Sequence, residues 1–360
     1  MYNRLLTPFI VAFLFSTVLF SEAFAQRKPA SRSNPPTPMV SKTGLTDEQI
    51  QSALDEAYAR FKDLKEGANA DYIKELARVD RNIFGIALIT VDGKVFTKGD
   101  LQSQVSIQSI SKVFTLARVI DEMGPKAIQE KVGVDATGMR FNSIIAVELN
   151  KGKEMNPCVN PGAIATTSLI QGIDSAAKWR NVLATHSAFA GRNLTVDMPV
   201  YVSEAGDNQR NLAIAELLKA YGRMYFDPRE ITDVYTKQCA ISVNAKDLAA
   251  MGATLANGGV NPLTQLAVVK PETVPYTLAV MSTAGLYDDA GQWLYNVGLP
   301  AKSGVGGGIV AVSPGKFGIA VIAPPLDAAG NSVKAKLAIE FVVKKLNANP
   351  YAVKPLTASK

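Results

Sequence analysis

The sequence predicts an α/β protein: a mainly antiparallel sheet flanked by helices, with a helical lobe inserted between strands drawn from both ends of the chain. Three observations carry this. Asn82 to Gly99 holds the apolar run Ile83 to Ile89, the tight-turn pair Asp92-Gly93 and a returning Lys94-Val95-Phe96. Far along the chain, Gly307 to Val312 runs into Ser313-Pro314-Gly315-Lys316, and Phe317 to Ile322 runs back out, which is the clearest hairpin of all. Between them, from roughly 125 to 259, apolar residues recur at helical spacing. A chain of 360 residues with 47% in the hydrophobic set buries a sizeable core, as one large domain or two modest ones.

Each element has its own signals. Thr46-Asp47-Glu48-Gln49 has the form of a capping box, with Leu45 and Ile50 placed as a staple, and opens an amphipathic helix to about Leu64. Ser109 to Met123 sets Ile110, Val113, Phe114, Leu116, Ala117 and Ile120 on a broad apolar helical face that Gly124-Pro125 ends. Helices are expected over 208–218 and 245–256, the second stopped by Asn257-Gly258-Gly259. A last helix over 331–346, capped by Asn331 or Ser332, shows Val333, Leu337, Ala338, Phe341 and Val342 on one face. The sheet lobe then spans about 45–108 and 260–350, the helical lobe about 125–259, and 351–360 is a tail. A cleft between the lobes is the expected place for chemistry.

The first residues read as a secretory signal: a basic start, the apolar run Leu5 to Phe20, and Ala23-Phe24-Ala25 as the cleavage end, giving a signal over 1–25. A signal anchor is the competing reading, because the run approaches bilayer length. Gln26 to Gly44, rich in Pro, Ser, Thr and Lys, is a linker. Export places the protein in the periplasm of a Gram-negative source, or otherwise outside the cell. The formal charge of +6 is scattered rather than arranged in a basic stripe, so no nucleic-acid module is expected. Cys158 and Cys239 are the two cysteines, read as buried free thiols, with no zinc spacing about them.

The chemistry is narrowed by what is scarce. One histidine, His186, is read as structural or solvent-facing rather than catalytic, which removes the usual Ser-His-Asp and Cys-His arrangements. Gly304-Val305-Gly306-Gly307-Gly308 lacks the lysine and hydroxyl of a phosphate loop. Ser109-Ile110-Ser111-Lys112 offers another route: residues three apart share a helix face, so a lysine made neutral by burial can take the serine proton. The motif opens an apolar helix, where free N–H groups favour negative charge. A second motif, Lys302-Ser303-Gly304, stands before the late hairpin. Ser-x-x-Lys and Lys-[Ser/Thr]-Gly in this order belong to the serine penicillin-binding and β-lactamase type of fold. Further polar clusters lie at Asn156 to Asn160, whose asparagines also suit helix capping, at Ser203-Glu204, and at Arg210-Asn211.

With these residues collected, the chain resembles the bacterial and kidney-type glutaminases, whose fold is of the serine β-lactamase kind. The resemblance runs from about Leu45 to Leu346. It is carried by Ala70-Asp71-Tyr72-Ile73, Ile107 to Phe114, Asn156-Pro157-Cys158-Val159-Asn160, Val202-Ser203-Glu204, Arg210-Asn211, Tyr235 to Cys239, Gly285-Leu286-Tyr287-Asp288 and Gly298 to Val305. It implies hydrolysis of glutamine to glutamate and ammonia, with Ser109 as nucleophile, Lys112 as base, and Tyr287 and Tyr235 beside the nucleophile. The backbone N–H groups of Ser109 and Val305 would form the oxyanion hole. Tyr72, Asn160, Glu204, Asn211 and Tyr235 would hold the amino-acid end, and Lys302 would act structurally or electrostatically. It further implies no metal or organic cofactor, and a homodimer or homotetramer.

Three features depart from the family pattern: Pro161 where alanine is usual, the wording of Ala205 to Gln209, and the export signal. Two rival functions stay open on the residues alone. One is a β-lactam or peptidoglycan-processing serine hydrolase, against which the chain lacks Ser-Asp-Asn. The other is a non-catalytic amino-acid-binding protein.

Overall fold

The two ends of the chain meet in one sheet. The computed structural model describes residues 44–353 and 355. The expected signal over 1–25, the linker except Gly44, and tail residues 354 and 356–360 lie outside the described residues. In chain order the structure has helices α1 (Asp47–Phe61) and α2 (Lys74–Ala77), strands β1 (Gly85–Thr90), β2 (Val95–Gly99) and β3 (Val105–Ser106), and a 3-10 turn (Gln108–Ile110). There follow α3 (Ser111–Met123), α4 (Pro125–Lys131), α5 (Ile144–Asn150), α6 (Asn160–Leu169), α7 (Ser175–Ala190), α8 (Met198–Gly206), α9 (Gln209–Ala220) and α10 (Pro228–Cys239). Then come β4 (Ser242–Val243), α11 (Ala245–Ala256), α12 (Thr273–Ala284), a second 3-10 turn (Tyr287–Asp289) and α13 (Ala290–Val297). The chain closes with β5 (Ala301–Gly304), β6 (Gly308–Ser313), β7 (Phe317–Ile322) and α14 (Val333–Lys345).

The main sheet has the order β2-β1-β7-β6-β5, and each of its pairs is antiparallel. The register runs Gly85↔Ile322 and Leu88↔Ile319 across the join between the chain's two ends. β1, β6 and β7 are buried along their whole length, because alternate residues face two different cores. Ala87, Ile89, Val310 and Ala320 join a core with α3 and α11, whereas Ile86, Leu88, Ile309 and Val321 join one with α1 and α14. This explains why these strands read as continuous apolar runs rather than alternating ones. α11 lies close on β7: a side-chain carbon at Gly318 would come within 2.1 Å of the Ala253 backbone nitrogen, so only glycine fits.

The expected caps are present. Thr46 accepts from Gln49 N at 3.2 Å while Gln49 Oε1 accepts from Thr46 N at 2.9 Å, and α1 ends at Phe61, one turn short of Leu64. Ser332, not Asn331, caps α14. The middle helices form a third core, which includes Leu116, Val119 and Ile120 from the opposite side of α3. α3 is thus buried on both sides, between the sheet and the middle helices, and its first turn comes to rest where those layers meet. Among the described residues no helix is long and apolar enough to cross a membrane.

Candidate active site

Ser109 sits in a tight turn, where the apolar pattern predicts the first turn of the helix. Residues 108–110 instead form a 3-10 turn ahead of α3, and Gln108 takes φ 50°, a left-handed backbone that a non-glycine residue adopts at some cost. Two glycines let the next layer close in. A side-chain carbon at Gly306 would lie 2.2 Å from Ser106 O, and one at Gly304 would lie 2.7 Å from Ile107 O. The backbone at Val305 therefore runs directly alongside the turn that carries Ser109.

Ser109 opens into a cavity of about 160 Å³. Seven of the expected residues line it: Tyr72, Ser109, Asn160, Glu204, Asn211, Tyr235 and Val305. They come from a loop before α2, the 3-10 turn, the starts of α6 and α9, the end of α8, the last turns of α10, and the turn after β5. Lys112 and Tyr287 are not part of the lining but touch residues that are. Lys112 Nζ donates to Asn160 Oδ1 at 2.7 Å, and the Tyr287 hydroxyl donates to Ser303 O at 3.4 Å, while, against the larger effect of burial, an interaction with the Ser109 side chain lowers the phenol. Three-residue spacing predicts that the serine hydroxyl and the lysine amine meet; the amine's hydrogen bond goes to Asn160 instead.

Asn160 is the junction of the polar wall. Its Oδ1 also accepts from the Tyr235 hydroxyl at 3.2 Å, and its Nδ2 donates to Asn211 Oδ1 at 3.0 Å. Asn211 in turn donates to Asn208 Oδ1 at 2.7 Å, and Asn208 to Thr236 Oγ1. Asn160 is therefore no helix cap: Val159 occupies that position, and Pro161 falls in the first turn of α6. There proline costs nothing, since that turn's N–H groups lack helical partners in any case. Asn156, by contrast, has the turn role: with φ 47° its Oδ1 accepts from Cys158 N at 2.8 Å. Glu204 faces Ser109's neighbour, its Oε2 accepting from Gln108 Nε2 at 3.3 Å.

A glutaminase family model matches residues 67–351 of the chain. The glutaminase of Colwellia psychrerythraea is 54% identical over 300 residues, which cover 83% of this chain and 96% of that protein. The chain belongs to the glutaminase family. Among solved structures, the probable glutaminase YbaS is 47% identical with a TM-score of 0.85, covering 86% of this chain and 100% of that one. A probable glutaminase from Bacillus subtilis, complexed with 6-diazo-5-oxo-L-norleucine, is 27% identical with a TM-score of 0.74, covering 84% and 96%.

The electrostatics of this glutaminase fold centre on two buried lysines. Burial drops the Lys112 amine to about 8, against smaller opposing pulls from Cys239, Cys158 and Glu204. Lys302 is pushed well below the ordinary lysine range, again by burial first, with repulsion from Lys112 adding to it. Its Nζ donates to Gly285 O at 2.7 Å and Ser303 O at 2.9 Å and lies 4.0 Å from the Tyr287 ring centroid. Burial raises the Glu204 carboxyl to about 7, with Gln108 and Lys112 pulling it back. The Tyr287 and Tyr235 phenols are raised by burial, so both are neutral donors near neutral pH.

His186 is structural. It is fully buried beneath the motif, Nδ1 set 2.8 Å from Val182 O and Nε2 3.1 Å from Ser111 O, and burial lowers it to about 4. Cys158 and Cys239 are both buried and free, and Cys239 belongs to the cavity wall. Among the described residues no cluster of three His, Cys, Asp or Glu side chains gathers to hold a metal ion. Gln108, Phe141 and Asn208 also line the cavity, and no sequence pattern marks them for it. The left-handed backbone at Gln108 leaves no composition signal, and Phe141 comes from a loop without periodicity.

Proposed function

We propose that this protein hydrolyses the side-chain amide of L-glutamine, releasing glutamate and ammonia through an acyl-enzyme on Ser109. The observation that carries the reading is a serine hydroxyl facing a 160 Å³ cavity, with a fully buried amine of pKa about 8 behind it and a carboxylate across from it. That volume is below the roughly 300 Å³ at which drug-sized ligand pockets begin, so it suits a free amino acid rather than a peptidoglycan strand. Glu204 accepts from the α-ammonium, and Asn160, Asn211, Tyr72 and Tyr235 supply donors for the carboxylate.

In this scheme Lys112, as free base, takes the Ser109 proton while Oγ attacks the amide carbon. The oxyanion is held by the Ser109 and Val305 backbone N–H groups, each contributing about 3 kcal/mol. The intermediate collapses as the C–N bond breaks and the nitrogen receives a proton through the Tyr287 hydroxyl, so that ammonia leaves. Water then cleaves the ester by the reverse proton path. The Bacillus relative's complex with 6-diazo-5-oxo-L-norleucine, which has glutamine's chain length, supports the substrate class.

The decisive test is Ser109→Ala. Ammonia release falls by about 10⁴-fold or more while glutamine binding remains measurable by calorimetry. Near-normal turnover in that variant refutes the mechanism, and turnover of a chromogenic β-lactam without ammonia release refutes the substrate. We further propose export with cleavage after Ala25, supported by the leader pattern, and a homo-oligomer of two or four copies, supported by the family resemblance. Amino-terminal mass analysis and light scattering test these.

A further inference from the structure

Tyr287 has φ 53°, so the phenol is presented from a backbone conformation that the surroundings must impose. What imposes it is visible on both flanks of the residue. Lys336, in α14, places its ammonium 2.9 Å from Asp289 Oδ2 and 2.5 Å from Asp327 Oδ2. Asn331 Nδ2 donates to Leu286 O at 3.3 Å and to Asp289 Oδ2 at 3.2 Å, gripping the residues before and after Tyr287. The turn 327–331 is itself closed: Asp327 N donates to Asn331 O at 2.8 Å, and Asp327 Oδ1 accepts from the N–H groups of Ala329 and Asn331 at 3.0 Å each. A side-chain carbon at Gly330 would sit 3.9 Å from Tyr287 Cε2 and 3.7 Å from Val305 Cγ1, so this turn lies against both.

We propose that Lys336 is a positioning residue: by tying Asp289 to Asp327 it clamps the 3-10 turn of Tyr287 and aims the phenol at Ser109. Lys336 is outside the cavity lining. Its ion pairs are about three-quarters shielded from solvent, with side-chain exposures of 29%, 26% and 23%, which keeps them from being screened away. The inference rests on the reading above that the Tyr287 hydroxyl works with Ser109.

The test is a double-mutant cycle of Lys336→Met and Tyr287→Phe, with kcat and KM read separately and Lys336→Arg as the conservative control. Lys336→Met lowers kcat about tenfold at little change in KM, since small misplacements of a reacting group cost rate. Lys336→Arg restores most of the rate. In the Tyr287→Phe background Lys336→Met has no further effect on kcat, because the group it positions is gone. Full kcat in Lys336→Met beside a crippled Tyr287→Phe overturns the inference and leaves the tyrosine reading intact. Equal losses in both backgrounds also overturn it, assigning Lys336 a general structural part. Full kcat in Tyr287→Phe overturns the tyrosine reading and the inference with it. Should Lys336→Met not fold, Asp327→Asn, which removes one of the two carboxylates and keeps its shape, is run through the same cycle.

Discussion

Lys112 Nζ lies 2.7 Å from Asn160 Oδ1, an uncharged acceptor. A carboxylate at that place would hold the amine protonated, whereas the amide satisfies one of its hydrogens without favouring the cation. Burial lowers the lysine to about 8, and a neutral partner leaves that effect standing where a carboxylate would oppose it.

Asn160→Asp therefore moves the acid limb of the kcat profile upward from about 8 and lowers kcat at pH 7 by roughly 10- to 100-fold. A pH–kcat curve that keeps its midpoint in this variant removes Lys112 from the role of base.

The proposed mechanism requires Glu204, at about 7, and Lys112, at about 8, both to be deprotonated for substrate capture and attack. As pH rises through 7 and 8, kcat/KM of the wild type climbs with two ionisations, which belong to the coupled pair, while kcat shows one. Glu204→Gln removes the lower ionisation and raises KM. Steady-state kinetics from pH 5 to 9 decide this, and an unchanged two-step profile in Glu204→Gln counts against the carboxylate's role.

Gly306→Ala puts a methyl group against the Ser106 carbonyl, which lies in backbone rather than in a side chain that can swing aside. The expected result is a stability loss of about 1–3 kcal/mol by urea titration. A kcat loss of roughly 10- to 100-fold accompanies it, because the Val305 N–H moves away from Ser109.

His186 carries a pH signature in stability rather than in rate. Its folded-state pKa of about 4 lies below the ordinary 6.5, so the unfolded chain binds the proton more readily. Stability from this group is full above 6.5 and is lost as pH falls toward 4, by about 2 kcal/mol between pH 7 and pH 5. His186→Leu lacks that component; an identical pH dependence of the urea midpoint in both proteins sinks the assignment.

Much of this was legible in the residues. The 317–322 strand and its partner, the α1 capping box and α11 were each announced by apolar pattern plus a turn or cap. β5 was not, since Ala301-Lys302-Ser303-Gly304 has no apolar alternation; its burial is made possible by the carbonyls and ring that receive Lys302. The β3–β4 pair, two residues a side, is too short for any periodicity. In the site, seven of the side chains singled out by type gather in one cavity, but partner choice did not follow from type. Three-residue spacing placed Lys112 next to Ser109, and only the folded arrangement of α6 reveals Asn160 as the amine's partner.

The join between β1 and β7, with Gly85 opposite Ile322, also fixes when the enzyme comes into being. Ser109 precedes Tyr287, Val305 and the strand that zips the sheet shut by well over a hundred residues of chain. Loop closure over such a span makes assembly slow. A chain cut short before Ile322 cannot complete the β1–β7 register, so the turn carrying Ser109 lacks the strand that closes the sheet behind it.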